Sequence, residues 1–149
     1  MSVGDYCNRE VVIAEPETGI VEAAQLMRHH HVGDLVVVSR EEGGSRPVGI
    51  VTDRDLVVEV LAEVVPPHTI ALKDIMSFDL ATAQDTDGIW DTLDRMRRFG
   101  IRRMPVVDHG GELVGLLSVD DVLELIAEAT GDLARIIKRE VGRESRQRP

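Results

Sequence analysis

One eight-residue pattern occurs twice in this chain of 149 residues, and it constrains the fold more than any other feature. It is GIVTDRDL at residues 49–56 and GLLSVDDV at residues 115–122. In each copy an apolar run leads into a hydroxyl residue, an aspartate follows three positions later, and a helix-like apolar spacing begins. A repeated pattern of this length predicts that the chain folds as two similar structural units.

The first half predicts the element order strand, helix, strand, strand, helix. A short strand is expected over residues 10–14, followed by a helix with Thr18 as its N-cap. Two β-branched runs, 35–38 and 48–51, predict strands that pair as a hairpin. A second helix is expected to end before Pro66, because proline disfavours helical geometry in the preceding residue. The apolar stripe of this second helix comprises Leu56, Val57, Val60, Leu61 and Val64.

The second half repeats this order, with strands expected over 104–107 and 113–117. We therefore predict an α+β fold of two β-α-β-β-α repeats, divided along the chain as 5–65 and 66–129. A helix stop is expected at Thr130-Gly131-Asp132. The last segment, 130–149, is expected to form a short amphipathic helix followed by a basic tail. This helix would cover the edge of the core or, as the alternative, contact a partner.

Composition narrows the classes of function. The formal net charge of −10 argues against a general nucleic-acid or membrane-surface binder, since both need a basic face. The single cysteine, Cys7, cannot form an internal disulfide, which fits a reducing compartment. The polar N-terminus has no signal peptide, and no apolar run approaches the roughly 20 residues of a membrane helix. We expect a soluble, cytoplasmic protein.

The two motif copies and their surroundings resemble the CBS domain, and the tandem arrangement resembles a CBS pair, or Bateman module. The resemblance rests on the motif segments 49–55 and 115–121, supported by 100–107 and more weakly by 32–37. It covers about residues 5–128. It implies a non-catalytic, stand-alone regulatory protein that forms a homodimer, requires no cofactor or metal, and acts on an unidentified partner protein.

The resemblance also implies two clefts that bind adenosine nucleotides or related ligands. The motif aspartate would accept hydrogen bonds from the ribose hydroxyls, and the preceding Thr or Ser would contact ribose or phosphate. The adenine would lie against the entry segment of the other repeat. The residues implied at the first cleft are Thr52, Arg54, Asp55, Ala81, Arg102, Arg103, Met104 and Pro105. Those implied at the second, weaker cleft are Val12, Ser118 and Asp121.

The two clefts are not expected to be equal. By the resemblance, Arg102 and Arg103 would meet the phosphate beside Asp55. The corresponding positions of the second cleft hold Gly33 and Asp34, where a phosphate would meet a like charge. We therefore predict that the Asp55 cleft takes a phosphate-bearing nucleotide. The second cleft would be empty or would take a ligand with little negative charge.

Other interpretations remain open. Each motif also fits a capping box, which needs no ligand, although capping boxes favour Glu or Gln where both copies have Asp. The protein could then be a ligand-free structural dimerisation module. A small enzyme that uses Cys7 or the histidines is a third class, but no catalytic motif supports it. Consecutive residues 29–31 point about 100° apart on a helix, so these histidines do not converge on a metal.

Overall fold

The computed structural model describes residues 1–148, and its two halves repeat one arrangement of strands and helices. The first half comprises α1 (Val3–Tyr6), β1 (Ile13–Ala14), α2 (Ile20–His30), β2 (Asp34–Ser39), β3 (Arg46–Thr52) and α3 (Asp53–Asp55), which continues as a π-helix over Leu56–Leu61. The second half comprises β4 (Ala83–Gln84), α4 (Ile89–Phe99), β5 (Arg103–Val107), β6 (Leu113–Ser118) and α5 (Val119–Gln147).

Each half contains a three-stranded mixed sheet. In the first sheet β1 is parallel to β2 and β2 is antiparallel to β3, and the second sheet repeats this order with β4, β5 and β6. Both hairpins shift register at the same place, between Val37 and Val38 and between Val106 and Val107. The predicted α+β fold with two similar repeats is confirmed.

The segments that enter each repeat are exchanged between the two cores. Leu72 and Met76 precede the second sheet in sequence, yet they are buried in the first core beside Leu35 and Val51. Conversely, the N-terminal residues Val3 and Cys7 are buried in the second core, which is built around Met104, Val106 and Leu117. A third cluster joins the two sheets and contains Val36, Val38 and Leu116. Neither core is complete without the other half of the chain.

The motif glycines make this exchange possible. A Cβ at Gly49 would lie 2.8 Å from Sδ of Met76, and one at Gly115 would lie 2.5 Å from Sγ of Cys7. Asn8 also pairs with Leu116 through two backbone hydrogen bonds of 2.9 Å, which brings its carbonyl within 2.9 Å of the same Cβ position. Each glycine therefore leaves room for the entry segment of the other repeat.

The start of α2 differs from the prediction. Its N-cap is Gly19 rather than Thr18. The Thr18 hydroxyl instead accepts a hydrogen bond from the Glu15 backbone N–H at 3.1 Å. The predicted N-cap is wrong because the preceding turn engages the Thr18 side chain.

The predicted stripe of the second helix is only partly buried. Val60 lies in the first core, whereas Val57, Leu61 and Val64 are exposed. Val57 and Leu61 belong to the π-helical segment, where backbone hydrogen bonds run from Ala62 to Val57 and from Val65 to Val60.

The predicted helix stop at residues 130–132 is wrong, because α5 runs through it without interruption. The Thr130 hydroxyl donates to the Ile126 carbonyl at 2.7 Å, and Asp132 pairs with Arg135 at 2.7 Å. Both side chains therefore bond to residues of the same continuous helix, and neither caps a new helix. The apolar residues beyond the stop are exposed and do not cover the core as predicted; they are Leu133, Ile136, Ile137 and Val141. No helix within residues 1–148 is long and apolar enough to cross a membrane.

We expect Gly115→Ala to destabilise the fold by about 1–3 kcal/mol, because the new methyl group meets the Asn8 backbone. Gly49→Ala should cost less, since only the flexible Met76 side chain must move. Urea unfolding of the two variants measures the difference. Equal stability of both variants and the wild type would show that the entry segments do not pack as described.

Gly131→Ala tests the continuity of α5. Nothing lies within 4 Å of a Cβ at this helical position, so alanine should stabilise the helix by about 1 kcal/mol. The expected result is slower amide hydrogen exchange on both sides of residue 131. If Gly131 instead ended a helix in the left-handed conformation, alanine would be strained and exchange would become faster.

Candidate functional site

Each motif copy forms a capping box at the start of a helix. In the first, the Asp55 N–H donates to Oγ1 of Thr52 at 3.2 Å, and the Thr52 N–H donates to Oδ2 of Asp55 at 2.8 Å. In the second, the equivalent bonds between Ser118 and Asp121 are 3.1 and 2.8 Å. The capping role that the sequence left open is therefore present in both copies.

Capping occupies only half of each carboxylate. Both boxes use Oδ2, and Oδ1 of Asp55 and of Asp121 has no hydrogen-bond partner among residues 1–148. Both aspartates are half-buried. Since a carboxylate has about four acceptor positions, each motif can cap its helix and still accept hydrogen bonds from a ligand.

The two hydroxyls of the motif differ. Oγ of Ser118 donates to Oδ2 of Asp121 at 2.7 Å, which commits its proton within the capping box. Oγ1 of Thr52 accepts from the Asp55 N–H and donates to no other described residue. The first motif therefore keeps a hydroxyl donor for a ligand, in addition to the carboxylate oxygen.

A cleft of about 210 Å³ lies beside Asp55, between the two repeats. Several predicted site residues line it: Thr52, Asp55, Ala81, Arg102 and Arg103. The motif side chains come from the end of β3 and from α3, whereas Arg103 begins β5 and Arg102 immediately precedes it. Ala81 belongs to the segment that leads into β4. The cleft thus joins a carboxylate from one repeat to guanidinium groups from the other.

Three residues predicted for this cleft lie elsewhere. Met104 is fully buried in the second core, and Pro105, next to it in β5, is buried as well. Neither residue lines the cleft. Arg54 is exposed on the first turn of α3 and lines neither cleft.

Sequence reasoning missed part of the first cleft. The additional lining residues are Ile50, Ser77, Asp79, Leu80 and Ile101. Asp79 matters most, because it adds a second carboxylate to a cleft that also contains two arginines. Asp79 lies in a short irregular segment before Ala81, and no sequence motif marked it as a site residue.

A second cleft of about 180 Å³ lies beside Asp121, and it is strongly acidic. The predicted residues Val12, Ser118 and Asp121 all line it. Its titratable lining consists of four carboxylates and one guanidinium group: Glu10, Asp34, Asp120, Asp121 and Arg103. The first cleft, by comparison, has two of each. The expected difference in charge between the clefts is therefore present, although the first cleft is not strongly basic.

The two arginines predicted for the first cleft are both paired with acids of the second. Nε of Arg103 lies 2.5 Å from Oδ2 of Asp34, and these side chains are 33% and 17% exposed. Arg102 lies 3.7 Å from Asp120, with both side chains about 70% exposed (75% and 68%). The first pair is short and shielded, whereas the second is long and screened by solvent. Arg103 lines both clefts.

Burial raises the pKa of Asp34 above its usual value, although Arg103 opposes this shift. Asp53 and Asp121 raise the pKa further through charge repulsion. Ionised Asp34 is therefore unfavourable in the fold, and the Arg103 guanidinium offsets part of that cost. The contribution of Asp34 to the stability of the fold is therefore largest at acidic pH, and it falls as the pH rises through the raised pKa of this carboxyl group.

The remaining candidates form no visible reaction centre. Burial raises the pKa of the Cys7 thiol, which disfavours the reactive thiolate. His29, His30 and His31 are exposed. Within residues 1–148, no group of three His, Cys, Asp or Glu side chains is arranged to hold a metal ion.

Comparison with known proteins gives the family. The model of the CBS domain matches residues 3–62 and again residues 72–128. The chain is 33% identical over 121 residues to the CBS domain-containing protein YhcV of Bacillus subtilis, covering 81% of this chain and 82% of that protein. It is 34% identical over 125 residues to an uncharacterized protein of Methanopyrus kandleri, covering 84% of this chain. The chain spans only 62% of that relative's length.

Other matches are to parts of larger proteins. The chain covers 22% of an inosine-5'-monophosphate dehydrogenase from Korarchaeum cryptofilum, so this similarity does not extend over the enzyme as a whole. Among solved structures, the CBS domain pair of protein MJ0100 in complex with 5'-methylthioadenosine and S-adenosyl-L-methionine is similar, with a TM-score of 0.75 and 26% identity. That similarity covers 87% of this chain and 98% of the other.

The repeated motif, the two mixed sheets and the family matches over both halves agree. The chain belongs to the CBS domain family and contains a tandem pair of these domains.

Proposed function

We propose that this CBS pair is a regulatory module that binds an adenosine-containing ligand, such as AMP, ADP or ATP, in the cleft beside Asp55. The proposal rests on Oδ1 of Asp55, which has no hydrogen-bond partner among residues 1–148, in a carboxylate that lines a cleft walled by both repeats. A fixed carboxylate suits two vicinal hydroxyls, because it can accept a hydrogen bond from each. The Thr52 hydroxyl supplies a donor beside it.

The other walls suit the remaining parts of a nucleotide. Leu80, Ala81 and Ile101 provide apolar surface for a flat base. Arg102 and Arg103 provide positive charge for a phosphate. One guanidinium group can donate hydrogen bonds to two phosphate oxygens at once. The acidic second cleft offers no comparable phosphate site, so we propose that it takes a ligand with little negative charge.

The similar CBS pair of MJ0100 supports an adenosine ligand, since it was solved with two adenosine derivatives bound. Neither of these derivatives carries a phosphate. The choice of a phosphate-bearing ligand for the present chain therefore rests on its own arginines and not on that relative.

In our proposal the bound ligand acts by population shift. A ligand that contacts Asp55 from one repeat and Arg102 from the other favours arrangements in which the cleft is closed.

A homodimer is part of the proposal, supported by exposed apolar side chains on the helices that follow each motif: Val57, Val58, Leu61, Leu123 and Ile126. In this proposal the module is not an enzyme and requires no cofactor, and it acts on a partner protein in the cytoplasm.

A ligand-free dimerisation module is the second candidate. The capping boxes give both aspartates a structural role, and both arginines already have acidic partners. In that case the clefts would be remnants, and only the exposed helix faces would have a function.

Thermal unfolding in the presence of AMP, ADP, ATP and S-adenosylmethionine separates these candidates. A ligand at about one hundred times its dissociation constant should stabilise the protein by roughly 2.7 kcal/mol. Asp55→Ala should weaken AMP binding about tenfold or more, because hydrogen bonds to a charged group are lost. Asp121→Ala is the matched control, since it removes an equivalent capping box and should leave AMP binding nearly unchanged.

Stabilisation by none of the four ligands would favour the dimerisation module. An equal loss of AMP affinity in both variants would contradict the assignment of the nucleotide to the Asp55 cleft.

A further inference from the structure

Arg103 is the one charged side chain that lines both clefts. Its one ion pair within residues 1–148 is with Asp34, through Nε. Asp34 faces the second cleft, where Asp121 is a neighbouring acid, and Asp53 is also close enough to repel it. One guanidinium group therefore compensates a buried acid in one cleft while it forms a wall of the other.

We propose that Arg103 couples the two clefts: a phosphate bound beside Asp55 draws this side chain away from Asp34, and the second cleft then favours a cationic ligand. This inference rests on the proposed function, since it requires a phosphate-bearing ligand in the first cleft. It adds a regulatory relation between the sites and a chemical class for the second ligand.

The charges on the two sides support the coupling. Asp34 and a phosphate are both anions that compete for the same guanidinium group, so each weakens the other's hold on it. When Arg103 moves toward the phosphate, the second cleft keeps its four carboxylates and loses its one positive charge. A positively charged ligand can replace the positive charge that the second cleft has lost. Because coupling between sites is reciprocal, that ligand would in turn strengthen phosphate binding in the first cleft.

The chain contains a matched comparison pair. Arg102 and Asp120 also connect the two clefts, but they lie 3.7 Å apart and are both largely exposed. Solvent and salt screen such a pair, so little is gained by breaking it. Asp120→Asn removes the same charge from the same cleft as Asp34→Asn, yet leaves Arg103 paired.

Titration calorimetry with AMP tests the competition. Asp34→Asn should bind AMP about fivefold more tightly than the wild type, because Arg103 no longer has a competing partner. Asp120→Asn should change the affinity less than about twofold. In an Arg103→Gln background, Asp34→Asn should give no gain. Weaker or unchanged AMP binding by Asp34→Asn would overturn the inference and would show that Asp34 merely positions Arg103.

Titration with S-adenosylmethionine, which carries a sulfonium group, tests the second cleft. Saturating AMP should raise its affinity about fivefold in the wild type and not in Asp34→Asn. The Asp121→Ala variant should lose this binding, which assigns it to the second cleft. Unchanged, weaker or undetectable binding in AMP-saturated protein would overturn the coupling. If AMP itself does not bind, the proposed function fails as well, whereas AMP binding without coupling leaves that function intact.

Discussion

The structure depends on the exchange of entry segments between the two repeats. Leu72 and Met76 complete the first core, and Val3 and Cys7 complete the second, so the apolar surface of each half is buried only when the other half is folded. Burial of this kind contributes about 25 cal/mol for each Å² of apolar area. Leu72 and Val3 are fully inaccessible to solvent. The clefts lie where the repeats meet, and they exist because the halves are held together in this way.

The motif satisfies two requirements with few residues. Its glycine leaves space for the incoming segment, as Gly115 does for Cys7 and Asn8. Its hydroxyl residue and aspartate cap the following helix through one carboxylate oxygen. The other oxygen stays available at the edge of the cleft. Capping and ligand binding are therefore compatible roles, and the rigid capping box holds the carboxylate in place before any ligand arrives.

Much of the fold could be predicted from the sequence because its signals are periodic and repeated. The apolar runs at 35–38 and 104–107 lie within β2 and β5, and the repeated motif predicted the β-α-β-β-α order. Local polar signals were less informative. Thr18 and Thr130 have the right side chains for a cap, but each hydroxyl bonds to a nearby backbone group instead. One-dimensional patterns do not show which of several nearby partners a hydroxyl selects.

The candidate site was predictable to a similar extent. The motif positions and the start of β5 predicted a cleft shared by Asp55, Arg102 and Arg103, and these residues line one cleft in the structure. Met104 and Pro105 follow Arg103 directly in β5, but both are buried and neither lines the cleft. The pairing of Arg103 with Asp34 could not be predicted, because it joins residues from different repeats whose approach depends on the tertiary fold.

The proposed regulation requires that a nucleotide binds one of two similar clefts and not the other. The difference between them is electrostatic: two arginines balance two acids in the first, and one arginine faces four acids in the second. A crystal structure of the protein grown with AMP would test this assignment most directly. We predict AMP in the first cleft, with its ribose hydroxyls on Asp55 and its phosphate on Arg103. AMP bound in the Asp121 cleft alone, or equally in both clefts, would contradict the account.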